Sequence, residues 1–304
     1  MNGILPPRPL LLPVVFSLGA KVENVPLSAF LTNPTKIVGA LRQMRMHLQT
    51  DGVTCYMGSN LGVEAISGEA AAMPAWLRSP EEAMQNSKVP VGVEVLRRMN
   101  ALPNRDFLLV VVVSGPRALA LGAMGRESTS ETLPGEVLDF AGNLVTRTVT
   151  AFFEAGAEVT VIQEQAPADL SASSLEEWTS LLAPAINVTR FYEALPVLQI
   201  EEGPAVMKNW EALSRQKWGC VMCAPASVGL SCRPQDASEA HAPPFGMTLP
   251  PEIFASDEPK SHGLLTEFRA AVQRLRPALI STAADVPVTT DMKHLRKVFS
   301  EISR

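Results

Sequence analysis

"FLLVVVVSG", Phe107 to Gly115, stays apolar at every position from Phe107 to Val113 and turns polar only at Ser114. A strand with one wet face alternates apolar and polar residues. A strand covered on both faces does not, and that is the habit of parallel sheets flanked by helices. Seven further runs behave similarly: "LPVVFSL" (Leu12 to Leu18), "GVTCYM" (Gly52 to Met57), "AEVTVIQ" (Ala157 to Gln163), "LPVLQI" (Leu195 to Ile200), "GCVMCA" (Gly219 to Ala224), "FGMTL" (Phe245 to Leu249) and "ALISTA" (Ala278 to Ala283). Between them, helical spacing marks Thr35 to Gln49, Val91 to Asn100, Pro134 to Ala155, Ser174 to Ala194, Ala205 to Gln216, Gly263 to Leu275 and Thr290 to Ile302. Ser174 ahead of Glu176 and Glu177, and Thr290 ahead of Asp291, read as helix starts with acids placed where the dipole favours them. Eight strands alternating with helices predict an α/β fold, a (β/α)8 TIM barrel, as a single domain over residues 1–304. A doubly wound open sheet is the rival, but no G-x-G-x-x-G follows the first strand and no Walker loop occurs.

The chain has 304 residues, of which 46% are hydrophobic, enough for one large core. Its formal charge is -5, with both signs interspersed, so no basic face steers it onto nucleic acid or anionic lipid. The apolar opening "MNGILPPRPLLLPVVFSLGA" is interrupted by Pro6, Pro7, Pro9 and Pro13 and lacks a basic leader. It reads as a strand entering a core, and no run approaches the roughly 18 to 20 unbroken apolar residues of a membrane span. Four cysteines, Cys55, Cys220, Cys223 and Cys232, suit reduced thiols in a cytoplasmic protein. "GCVMC" invites a zinc reading, but in a strand Cys220 and Cys223 point to opposite faces, so both are read as packed core thiols.

Barrel enzymes work at the C-terminal ends of their strands. The candidates there are Cys55, Tyr56 and Asn60 after the second strand, Ser114 and Arg117 after the third, and Gln163 and Glu164 after the fourth. Glu201 and Glu202 follow the fifth, Met247 lies in the seventh, and Asp285 follows the eighth. Two stretches are long enough for functional loops, Gly58 to Pro80 and Ala226 to Pro244. No histidine falls at a strand end, so acid and base work goes to carboxylates. Glu164, partly desolvated, gains a raised pKa while Gln163 and Gln165 offer amide hydrogen bonds to a polar substrate. The competing reading is a solvated turn stopped by Pro167. Only one of Glu201 and Glu202 faces the axis if the strand persists; the other pairs with a surface cation. Asp285 equally reads as a cap on the turn into Val286 and Pro287. Tyr56 and Asn60 either line a pocket or pack and cap.

Five pieces carry a resemblance: "DGVTCYMGSNLGVEAISG" (Asp51 to Gly68), "VVSGPRALALGAMG" (Val112 to Gly125), "FFEAGAEVTVIQEQAP" (Phe152 to Pro167), "PPFGMTLPPEIF" (Pro243 to Phe254) and "ALISTAADVPVTTDMKHLRKV" (Ala278 to Val298). In this order they resemble the uroporphyrinogen decarboxylase superfamily, which also holds corrinoid-dependent methyltransferases and, more distantly, cobalamin-independent methionine synthase. The decarboxylases carry an arginine-rich "RQAGRY"-type motif, where this chain has "PVVFSLGAKVENVP" (Pro13 to Pro26) with no arginine. The family's aspartate, tyrosine and late histidine fall on Gly58, Gly122 and near Ala283 or Ala284, which argues against porphyrin decarboxylation. The thiol-activating methyltransferases bind zinc through H-x-C and a later cysteine; here stand "QIEEG" (Gln199 to Gly203) and "STAAD" (Ser281 to Asp285), so no zinc is expected.

The resemblance implies methyl transfer or demethylation in one-carbon metabolism, with tetrahydrofolate or a corrinoid carried by a partner protein as acceptor. A corrinoid must arrive on a partner because D-x-H-x-x-G is missing. In "SGPRALA", the turn at Ser114 and Arg117 would hold an anionic group at a helix start, with Glu164 as acid/base or orienter and Glu201 or Glu202 assisting; Arg117 equally reads as a surface arginine over a structural turn. The alternatives are a decarboxylase or lyase of a non-porphyrin carboxylate, and a non-catalytic barrel subunit. A homodimer is implied by resemblance alone, and the substrate is a small molecule.

Overall fold

The computed structural model describes residues 8–58, 79–125, 133–167, 171–200, 213, 217–223, 244–255 and 258–303. All eight expected strands form, each parallel to its neighbours: β1 (Leu10–Leu11), β2 (Gly52–Gly58), β3 (Leu108–Ser114), β4 (Val159–Glu164), β5 (Leu195–Ile200), β6 (Cys220–Cys223), β7 (Phe245–Leu249) and β8 (Leu279–Thr282). They run in the order β1-β8-β7-β6-β5-β4-β3-β2. The seam between β1 and β2 is nearly closed by hydrogen bonds outside the ladder. Asp51 N–H donates to Leu11 O (3.0 Å), Leu11 N–H donates to Asp51 Oδ2 (2.8 Å), and the Thr54 hydroxyl donates to Pro13 O (3.0 Å). Arg8 grips the same carboxylate through two bonds of 2.6 Å. The eight strands therefore wrap one (β/α)8 barrel.

The first strand lies two residues earlier than expected, at Leu10–Leu11 rather than Leu12 to Leu18. Pro13 has no N–H to extend a ladder. Past it, Val14 N–H turns to the Thr282 hydroxyl (3.0 Å), and the chain bends into the short helix α1 (Leu18–Val22).

The helix layer comprises α2 (Leu27–Phe30), α3 (Pro34–Leu48), α4 (Pro80–Gln85), α5 (Val89–Asn100), α6 (Pro116–Ala123), α7 (Gly135–Glu154), α8 (Ala172–Phe191), α9 (Glu258–Leu275) and α10 (Met292–Ile302), plus a 3-10 turn at Pro251–Phe254. Two starts differ from the sequence reading. Ser171 rather than Ser174 caps α8, accepting from Ser174 N–H, and Asp291 rather than Thr290 caps α10, accepting from His294 N–H. In each, an oxygen three residues before the N–H meets the geometry of a cap. The helix expected at Ala205 to Gln216 and both long loops fall mainly outside the described residues. Among those described, no helix is long and apolar enough to cross a membrane.

Two cores result from the alternation of strand side chains. Leu12, Val14, Val110, Val112, Val159, Val161, Val197, Cys220, Met222 and Leu279 fill the barrel interior. The larger cluster lies between strands and helices. This division decides which strand-end residues meet the axis.

Candidate active site

Register carries the interior row upward to the strand ends. Val112 and Val161 face the axis, so Ser114 and Gln163, two residues on, face it too; Val197 does the same for Gln199. The ladder sets these three side by side, with Ser114 opposite Gln163 and Gln163 opposite Gln199. Met222 continues the row on β6. Gln199 was not among the sequence candidates, although "LPVLQI" held the signal: it lies two residues after the inward Val197.

The hydrogen bonds of this row are one-sided. Ser114 Oγ–H donates to Gly58 O (3.1 Å), and Gln199 Nε2 donates to Ala283 O (2.7 Å) across the barrel. That bond fixes the amide orientation, because a carbonyl accepts only from the NH2 end. Gln199 is 1% exposed, and its Oε1 is buried with no hydrogen-bond partner among the described residues. Ser281, also inward, donates its hydroxyl to Leu12 O (2.7 Å).

Glu164 is placed elsewhere. As the neighbour of inward Gln163 it points outward, 1% exposed, into the start of α6. That helix begins Gly115-Pro116-Arg117, with glycine at the cap position and proline in the first turn. Gly115 has no side chain to cap with, and Glu164 supplies the missing acceptor from the next strand. Arg117 N–H donates to its Oε2 (3.1 Å), Ala118 N–H to its Oε1 (2.8 Å), and Gln165 N–H to the same Oε1 (2.9 Å). Burial pushes the carboxyl up to about 7, against the pull of these three N–H groups and of Arg117's charge. At the turn expected to hold an anion, the N–H groups of Arg117 and Ala118 are taken by the protein's own Glu164 carboxyl. The turn is not left open for a substrate. Any Cβ on Gly115 would stand 2.4 Å from Glu164 Oε2, so the close approach requires glycine.

Three other candidates face away from the axis or serve the fold. A bulge between Thr54 and Tyr56 inserts Cys55 and shifts the alternation. Tyr56 therefore turns outward, its ring 4.4 Å from that of Phe152. It also fits against Gly92, whose absent Cβ would meet Tyr56 Cδ2 at 2.4 Å. Met247 is likewise outward, packed in the larger core. Asp285 accepts from Phe16 N–H and Ser17 N–H, both at 2.9 Å, tying the β1 to α1 bend to the end of β8. Burial raises its pKa, opposed by hydrogen bonds from Ser17, Phe16 and Val286. Asp285 is thus a structural tie, in line with its capping reading. Cys55 and Cys220 are buried, and burial pushes both thiols up. Asn60, Glu201 and Glu202 lie outside the described residues. Among the described residues no group of three or more His, Cys, Asp or Glu side chains is arranged to hold a metal ion.

Behind Ser114 lies a small cavity of about 40 Å³ lined by Tyr56, Gly58, Val113, Leu119 and Thr148, room for water rather than substrate. Among the described residues, the axis-facing ends of β3, β4 and β5 form a neutral row of Ser114, Gln163 and Gln199. Fold and mouth together define the class: a (β/α)8 barrel with a neutral, hydrogen-bonding strand-end row. The chain is similar in fold to a methyltransferase from Methanosarcina mazei, with TM-score 0.70 and 14% identity over 97% of this chain and 93% of that one. It is also similar to a putative vitamin-B12 independent methionine synthase from Listeria monocytogenes, with TM-score 0.54 and 12% identity over 97% of each. No protein-family model and no curated protein matches the chain.

Proposed function

We propose that this barrel is a methyltransferase of the uroporphyrinogen decarboxylase superfamily, moving a methyl group from a small molecule to tetrahydrofolate or to a corrinoid on a partner protein. The observation that carries this reading is the neutrality of the mouth row. Ser114, Gln163 and Gln199 are uncharged, and no described inward-facing strand-end residue is cationic. A decarboxylase must hold an anion, for which guanidinium or ammonium groups are the usual means. The full-length likeness to a methyltransferase barrel lends support. The free acceptors on Ser114 and Gln199 suit N–H donors, which a pterin ring and the amide arms of a corrin both carry. Either group would supply the electron pair that receives the methyl.

In a balanced transfer the bond from methyl carbon to the donor's heteroatom breaks, and its electron pair stays on that atom. A new bond forms from the acceptor's lone pair. With tetrahydrofolate as acceptor, the proton lost from its nitrogen would go to the departing heteroatom. The barrel's part is to align donor and acceptor within reach of each other, where orientation alone accounts for much of the rate. Gln163 orients the donor, while Ser114 and Gln199 hold the acceptor's N–H groups; Glu164 positions the turn that carries Ser114 by holding the start of α6.

Thermal-shift titrations with tetrahydrofolate, methylcobalamin and a coproporphyrinogen-type tetrapyrrole test the reading. A rise of several degrees with the folate or the corrinoid is expected. Stabilisation by the tetrapyrrole alone would restore the decarboxylase reading instead.

A further inference from the structure

We infer that the cleft between α9 and α10, on the outer wall of the barrel, binds a small oxyanion, a phosphate or a carboxylate, held by His262, His294 and Lys297. The cleft has a volume of about 290 Å³ and is lined from the first two turns of both helices. Its buried lining is Ser261, Leu265 and Val298, while the side chains of His262, His294 and Lys297 reach solvent. Both helices start at this end of the barrel, so the positive ends of their dipoles lie beside the cleft.

Hydrogen bonding leaves nitrogen here unspent. Ile253 O, in the 3-10 turn, accepts the Ser261 hydroxyl at 2.6 Å and His294 Nε2 at 2.9 Å. A carbonyl only accepts, so the ring proton of His294 sits on Nε2 and Nδ1 keeps its lone pair. Among the described residues Nδ1 has no partner, and neither the His262 ring nor the Lys297 ammonium has one. No acid lines the cleft among the described residues. Asp291 spends Oδ2 on the His294 N–H as the cap of α10, and Glu301, farther along the helices, pairs with Arg269 at 3.6 Å.

That pattern selects the sign of the ligand. A metal cation would find two imidazoles but also the Lys297 charge, and no third His, Cys, Asp or Glu joins them among the described residues. An oxyanion meets the Lys297 ammonium and an N–H of His262. It also favours a proton from solvent on His294 Nδ1, which makes that ring a third donor. The whole chain carries a formal charge of -5, so the attraction belongs to these nitrogens and not to a field of the whole surface. None of the three faces the barrel axis, and the inference stands apart from the methyl-transfer reading.

The chain holds four histidines, so its imidazole ¹³Cε1–¹H spectrum carries four signals, and His262→Gln and His294→Gln assign the two of the cleft. The full chain is titrated with phosphate and with acetate at an ionic strength held constant by sodium chloride. Expected are saturable shifts of those two signals, with His47, on α3, unmoved; the anion that binds tighter names the ligand class. Lys297→Gln, at an exposed position, should weaken the binding about threefold or more. Lys293→Gln, equally exposed on the same helix but off the cleft, should leave it unchanged. Linear shifts with both anions, or equal weakening in the two lysine variants, would show only general surface attraction and overturn the inference. Saturable shifts of the same two signals with zinc, and none with either anion, would also overturn it and make the imidazole pair a metal site.

Discussion

Replacing Glu164 by Gln separates the carboxyl's charge from its shape. The unfolded carboxyl titrates at its ordinary 4.5, and burial at the start of α6 raises the folded value to about 7. Between those limits the folded protein binds more protons than the unfolded one, so this group makes stability fall as pH rises from about 4.5 to 7 and contributes no slope above. At about 1.4 kcal/mol per unit the total is on the order of 3 kcal/mol. Gln cannot titrate. Its Oε1 keeps the bonds from Ala118 and Gln165, while its amide meets Arg117 N–H, a fixed penalty of about 1 kcal/mol at every pH. The assay is urea unfolding followed by far-UV circular dichroism at a series of pH values. Expected is a stability difference, variant minus wild type, that climbs by about 3 kcal/mol between pH 4.5 and 7.5. All other carboxyls, Asp285 included, cancel in that difference. Parallel curves would show that Glu164 is not held in a buried, proton-binding state and would refute the reasoning.

Gly115→Ala drives a methyl group to within 2.4 Å of Glu164 Oε2 and should cost about 1 to 3 kcal/mol in denaturant unfolding. It should also abolish the pH-dependent gain of Glu164→Gln in the double variant. Asp285→Ala removes the acceptor for Phe16 and Ser17 N–H; a loss of about 2 kcal/mol is expected, with faster amide exchange at those two positions. Asp51 has its pKa lowered: burial opposes this, but hydrogen bonds from Arg8 and Leu11 and the charges of Arg8 and Arg45 outweigh it. Its stabilisation is present above the ordinary value of 3.8 and is lost as pH falls through the lower folded value. Asp51→Asn should therefore weaken the protein at neutral pH and narrow its difference from wild type in strong acid, as read by chemical denaturation.

The strands were legible because continuous apolar runs such as Leu108–Ser114 have only one common explanation in a chain with intervening helices. The first strand was displaced because Pro13 ends the ladder early and hydroxyls of Thr54 and Thr282 take over its bonds. Those partners are distant in sequence. Glu164 was recognisable as a desolvated acid, but the alternation applied to Glu201 and Glu202 applies equally to Gln163 and Glu164 and turns the acid outward. Tyr56 escaped the same rule through a bulge at Cys55 that no residue pattern announced. Gln199 was legible in principle, because it follows the inward Val197 by two positions in the same strand, but it carries no charge to mark it as the acids after it do. Asp285 was ambiguous until folding brought it to Phe16 and Ser17, more than 260 positions away in the chain.

The most direct measurement follows a ¹³C-labelled methyl group by NMR from a panel of donors, with tetrahydrofolate as acceptor and wild-type protein beside Gln163→Leu. Methyl transfer at the barrel mouth requires a new N-methyl resonance that grows with wild-type protein and slows at least tenfold in the variant, as expected when an orienting hydrogen bond is removed. Release of labelled CO2 from a carboxylate substrate, with no methyl resonance from any donor with folate or with a corrinoid acceptor, would contradict it.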